Sequence, residues 1–127
     1  VNGLPSERAR DLFYAVDTRE SRRINWMIWH SAEPGSRVVV ATLARVLEAV
    51  VLERPQSLER ETEIMVLGHA GRRLEIKMFK PASAGYWDRH PEEWFPGGDR
   101  DVALDGVSAR LVELRPRAHE QLELFGG

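Results

Sequence analysis

Two hairpin signals in the second half of the chain limit its fold more tightly than anything else in the sequence. Asp105-Gly106 stands between Asp101 to Leu104 and Val107 to Leu114. It is a preferred two-residue turn, because both residues tolerate the positive φ that a tight antiparallel reversal demands. Upstream, Glu61 to Gly68 and Arg73 to Lys80 flank His69-Ala70-Gly71-Arg72, where glycine again permits the reversal. Leu74, Ile76 and Met78 alternate with Arg73, Glu75 and Lys77, which predicts one face in a core and one in water. Two antiparallel strand pairs are therefore expected from Glu61 onward.

The first half reads differently. Pro5 and Ser6 precede Ala9, Leu12, Phe13 and Val16 at helical spacing, which predicts an amphipathic helix from about Ser6 to Asp17. The segment Ile24-Asn25-Trp26-Met27-Ile28-Trp29-His30 is rich in β-favouring residues and is predicted to be a strand, with Trp26 in the core and Trp29 under a loop. Glu33-Pro34-Gly35-Ser36 breaks the chain, and Ser36 is a good N-cap. Val39, Leu43, Val46, Leu47, Val50 and Val51 then recur at intervals of three and four, ending at Pro55. That spacing predicts a long helix from about Arg37 to Glu53. The expected fold class is α+β: a small antiparallel or mixed sheet of about five strands covered by two helices. It should form one domain over residues 1–116, with a tail at 117–127.

Several function classes are excluded or disfavoured by what the chain lacks. It has no cysteine, so disulfides and thiolate zinc sites are ruled out. A net charge of -2 does not suit binding to nucleic acid by bulk electrostatics, so DNA is expected only as an indirect partner. No apolar run approaches the roughly 18 residues that cross a bilayer, and Val1 to Arg10 is charged where a signal peptide is greasy. A cytoplasmic protein with no membrane partner is expected. His30, His69, His90 and His119 are scattered without metal-ligand spacing. No metal, no cofactor and no catalytic residue are therefore predicted. A magnesium nuclease built on Asp99, Asp101, Asp105 and Glu113 is the weakest alternative, since turn carboxylates explain these residues more simply.

Between the hairpins, Pro81 to Gly98 is longer than most connections and carries Tyr86, Trp87, Arg89, His90, Trp94 and Phe95. These residues form a candidate secondary binding surface, able to stack on bases or hold another protein. The simpler alternative turns Trp87, Trp94 and Phe95 inward to pin the loop to the core.

Beyond Arg115-Pro116 the alternation stops, and the chain reads Arg117-Ala118-His119-Glu120-Gln121-Leu122-Glu123-Leu124-Phe125-Gly126-Gly127. Gln121, Leu122, Leu124 and Phe125 resemble the bacterial sliding-clamp (β-clamp) binding motif found at the end of Y-family translesion polymerases and in other replication and repair proteins. The resemblance covers five residues and nothing before Gln121. It implies that Gln121 hydrogen-bonds at the rim of a clamp pocket while Leu122, Leu124 and Phe125 fill its apolar floor. Burial of each apolar side chain contributes about 1.5 to 3 kcal/mol, against roughly 1 to 2 kcal/mol for ordering each residue. The expected function is a non-enzymatic accessory protein of bacterial DNA replication, repair or translesion synthesis, whose body engages a second protein partner. The alternative is a small protein-binding regulatory module, such as a toxin neutraliser or phage-encoded factor, in which the tail is structural.

Overall fold

The computed structural model describes residues 4–15, 17–59, 62–80 and 100–116. Helices α1 (Leu4–Phe13) and α2 (Thr18–Ser31) come first. They are followed by β1 (Arg37–Ala41), β2 (Val46–Glu59), β3 (Thr62–His69), β4 (Arg72–Phe79), β5 (Asp101–Leu104) and β6 (Val107–Arg115). Each strand pairs antiparallel with its successor, and β6 returns to pair with β1, so the sheet closes into a barrel. The fold is therefore mostly β, which overturns the α+β expectation of an open sheet under two helices.

The largest correction concerns residues 37–53, which form β1, a reversal and the start of β2 in place of a helix. The helical spacing was coincidental: of its members, Leu43, Val46 and Val50 are exposed. The core side chains are Val38, Val40, Leu47, Ala49 and Val51, which repeat every second residue as a strand requires. The Thr42 hydroxyl accepts from the backbone N–H groups of Ala44 and Arg45 at 3.1 and 3.0 Å. This local bonding competes with a helix and fixes a turn where the periodicity suggested continuity. β-Branched valines at 38–40, 50 and 51 favour the extended backbone on either side.

The second correction reverses the first. Residues 24–30, predicted as a strand, belong to α2. Asp17 caps that helix by accepting from the Glu20 N–H at 3.0 Å, and the Asp-x-x-Glu spacing is a capping box. Ser21, Asn25, Ile28, Trp29 and Ala32 are all buried, a stripe with the three-to-four spacing of one helix face. Trp29 is fully buried, whereas Trp26 is only partly so, lying between His30 and Arg100. The expected roles of the two tryptophans are thus exchanged, because helical geometry turns position 29, not 26, toward the barrel. Replacing Asp17 with Ala should cost about 1 kcal/mol of stability in a urea titration; an unchanged midpoint would mean that packing alone holds the start of α2.

Both hairpins lie where the glycines put them. Ala70 and Gly71 have φ of 51° and 76°, and Asp105 and Gly106 have 49° and 82°. Two successive positive φ values give the turn whose twist matches antiparallel strands. The Asp105 carboxylate also accepts from the Glu75 N–H at 3.1 Å, tying the second turn to β4. β2 shows register shifts between Val51 and Glu53 and again between Glu53 and Gln56; such bulges bend a strand and help a sheet curl shut.

Inside the barrel, Val38, Val40, Leu47, Val51, Met65, Leu67, Leu74, Ile76, Met78, Val102, Leu104 and Leu111 pack together. α2 lies across the end where β3 begins and β4 finishes, and inserts Trp29 into this core. α1 is shorter than the predicted Ser6 to Asp17 and buries Ala9 and Phe13. Among the described residues, no helix is long and apolar enough to cross a membrane.

Candidate functional site

The predicted clamp-binding residues Gln121, Leu122, Leu124 and Phe125 lie outside the described residues, as does the predicted aromatic surface of Tyr86, Trp87, Arg89, His90, Trp94 and Phe95. What the fold does establish is where the segment at 117–127 is attached. β6 ends with Arg115 paired to Arg37 of β1, and this pairing closes the barrel. Among the described residues the ladder thus runs from β1 round to β6 and back to β1 before Gln121 is reached.

Two surface features stand out on the barrel. The first is a cleft of about 460 Å³ among α1, α2, β5 and β6, lined by residues including Tyr14, Arg22, Asn25, Asp101 and Arg110. Arg110 is buried, and its guanidinium donates to the Phe13 carbonyl while lying 4.3 Å from the centre of the Phe13 ring. Burial lowers its pKa from the usual arginine value. A cation at the last carbonyl of α1 is the favourable end of the helix dipole, so Arg110 serves to fasten α1 to β6. Arg22 bonds Asp101 at 2.8 Å, and Asn25 joins the Arg100 carbonyl to the Leu111 N–H at 3.0 and 2.8 Å. Arg22, Asn25 and Arg110 are thus engaged in holding the helices on the barrel.

The second feature is a shallow groove of about 430 Å³ on the outer face of β2 to β4. Its floor is Val50, Leu52 and Gly68, its end wall the Ala70-Gly71 turn, and its rim His69, Arg72 and Arg73. Leu52 occupies the bulge between the pairs Val51–Leu67 and Glu53–Val66, so it points outward beside them. It folds over the bare backbone of Gly68, where an added Cβ would stand 3.1 Å from Leu52 Cδ1. Val50 and Leu52 are 38% and 39% exposed, although neighbouring outward positions carry charge. Arg73 is paired with Glu53 across the strands, and Arg115 bonds Glu48 at 2.7 Å on the adjoining face. A carbon-lined floor within a charged rim suits an apolar peptide that carries acidic residues.

Of the four carboxylates a nuclease would use, Asp99 lies outside the described residues, and the other three are each engaged elsewhere. Asp101 faces Arg22, Asp105 bonds the β4 backbone, and Glu113 bonds Arg115 at 3.1 Å. No group of three His, Asp or Glu able to hold a metal ion occurs among the described residues. His69 places Nδ1 3.0 Å from the Glu48 carbonyl, and His30 lies against Trp26 with ring centroids 3.9 Å apart and the rings tilted by 58°. Sequence reasoning missed the groove because Val50 was assigned to a helix that does not exist. The available signal was the apolar triplet Val50-Val51-Leu52, which leaves two apolar side chains outside any strand that buries Val51. Comparisons with protein-family models, with curated proteins and with solved structures find no match.

Proposed function

We propose that this protein is a cytoplasmic bacterial accessory factor that docks on the DNA sliding clamp through Gln121, Leu122, Leu124 and Phe125. The barrel is the body carried to the clamp, where it engages a second protein, and DNA is met only indirectly. The observation that carries this reading is the match of all four defining positions of the motif in a segment that follows the completed barrel ladder.

The test is competition between the full chain and a fluorescent Arg117 to Gly127 peptide for purified bacterial sliding clamp. Displacement in the micromolar range, about 8 kcal/mol of binding free energy, is expected. Substituting Gln121→Ala together with Phe125→Ala removes one polar contact and one buried ring, and should weaken binding on the order of 100-fold or more. Failure of the peptide to bind clamp at all, or equal binding by the doubly substituted chain, would end the proposal.

A further inference from the structure

We infer that the groove of Val50, Leu52 and Gly68 is a docking surface for residues 117–127 of the same chain, with Leu122, Leu124 and Phe125 covering its floor. This goes beyond clamp binding, since it concerns where the segment rests when no external partner holds it. The clamp and the groove then compete for the same side chains.

Reach is the first argument. The strand register places Arg115, Arg37, Val50, Gly68 and Arg73 in one row across β6, β1, β2, β3 and β4. From Arg115 to Gly68 is three strand spacings, about 14 Å. The five residues from Pro116 to Glu120 can span up to about 17 Å when extended, which delivers Gln121 to the groove.

Charge is the second. The segment carries Glu120 and Glu123 on either side of Gln121-Leu122, while the rim holds His69, the exposed Arg72, and Arg73, which is itself paired with Glu53. Apolar fit is the third. Val50 and Leu52 are exposed apolar side chains, with Val46 continuing the outward apolar series on β2 and Glu48, Glu53 and Arg73 beside them, and an apolar strip edged by charge is a surface that an acidic, leucine-rich segment covers with gain.

The full chain offers a direct test because it has no cysteine. Gly127→Cys therefore accepts a single nitroxide label, and paramagnetic broadening in a two-dimensional amide spectrum reports where the label spends its time. The amides of Val50, Leu52, Gly68 and Ala70 should lose most of their intensity while those of α2 keep theirs. The broadening should vanish in Leu122→Ser with Leu124→Ser, which leaves the barrel untouched, and in Leu52→Glu, which alters only the groove.

Weak broadening spread evenly along the chain, or broadening centred elsewhere, would overturn the inference. So would broadening in a mixture of unlabelled-isotope spin-labelled chain with isotope-enriched cysteine-free chain, since docking would then be between copies. Adding sliding clamp separates this inference from the function proposed above. Release of the groove amides supports both. If groove broadening persists at saturating clamp, the clamp reading fails and the docking surface stands.

Discussion

Trp29→Ala should cost about 3 to 5 kcal/mol, the usual penalty for truncating a fully buried large aromatic. Domains of this size are stable by about 5 to 15 kcal/mol, so the variant is expected to lose a large part of its stability. Trp29 has no exposed surface and joins α2 to the barrel interior. Its indole Nε1 donates to Glu63 Oε1 on β3 at 3.0 Å, so truncation removes packing and leaves a partly buried carboxylate without that donor. Trp29→Phe separates the two effects: it keeps most of the apolar volume and should cost about 1 to 3 kcal/mol, chiefly through the lost hydrogen bond. Urea denaturation followed by far-ultraviolet circular dichroism would measure both. A loss under about 1 kcal/mol in Trp29→Ala would show that the barrel end is not sealed by this side chain. The isolated Arg117 to Gly127 peptide should bind clamp regardless, whereas docking in the groove depends on the folded barrel and should be lost at a lower urea concentration in Trp29→Ala.

The contrast between what could and could not be read from the sequence follows from how unambiguous each local pattern is. β4 was legible because Leu74, Ile76 and Met78 alternate with charged residues, a pattern that only a strand can use. The turns at Gly71 and Gly106 were legible because positive φ is a steric demand on a single residue. Residues 37–53 were not, because Val38-Val39-Val40 and Val50-Val51-Leu52 supply apolar side chains to any period one tests. Only the partner strands decide which members face inward, and pairing with β6 and β3 lies far away in sequence. α2 was misread for a different reason: aromatic and β-branched residues at 24–29 suggested a strand, and the capping signal of Asp17 three residues before Glu20 went unread, although capping fixes a helix start more directly than propensity does. The docking groove inherits the first error, since Leu52 becomes a surface residue through a bulge that no local pattern reveals. The proposed motif at Gln121 to Phe125 rests on side-chain order alone, and those residues lie outside the described ones.

The second large effect is expected at Asn25, the buried polar residue that joins α2 to the point where the sheet is thinnest. β5 pairs with β6 at Val107 to Ala109, and among the described residues no strand pairs with the side of β6 away from β1 beyond Ala109. The Leu111 N–H meets Asn25 Oδ1 at 2.8 Å, and Asn25 Nδ2 donates to the Arg100 carbonyl at 3.0 Å, just before β5. One amide side chain thus stands in for a missing stretch of ladder, satisfying a donor and an acceptor that have no strand partner there. Asn25→Leu preserves the approximate volume but can make neither bond. Each buried orphaned group costs about 1 to 3 kcal/mol, and because the Arg100 end is only partly buried, a total of about 2 to 4 kcal/mol is expected. Met27→Ala supplies the comparison on the same helix, since Met27 is 63% exposed and its loss should change stability by under about 0.5 kcal/mol. Amide hydrogen exchange gives a residue-specific readout: in Asn25→Leu the Leu111 amide should lose protection beyond what the global destabilisation explains. If Leu111 stays as protected as its neighbours, another acceptor has replaced Asn25, and the closure of the barrel beside α2 does not depend on that side chain.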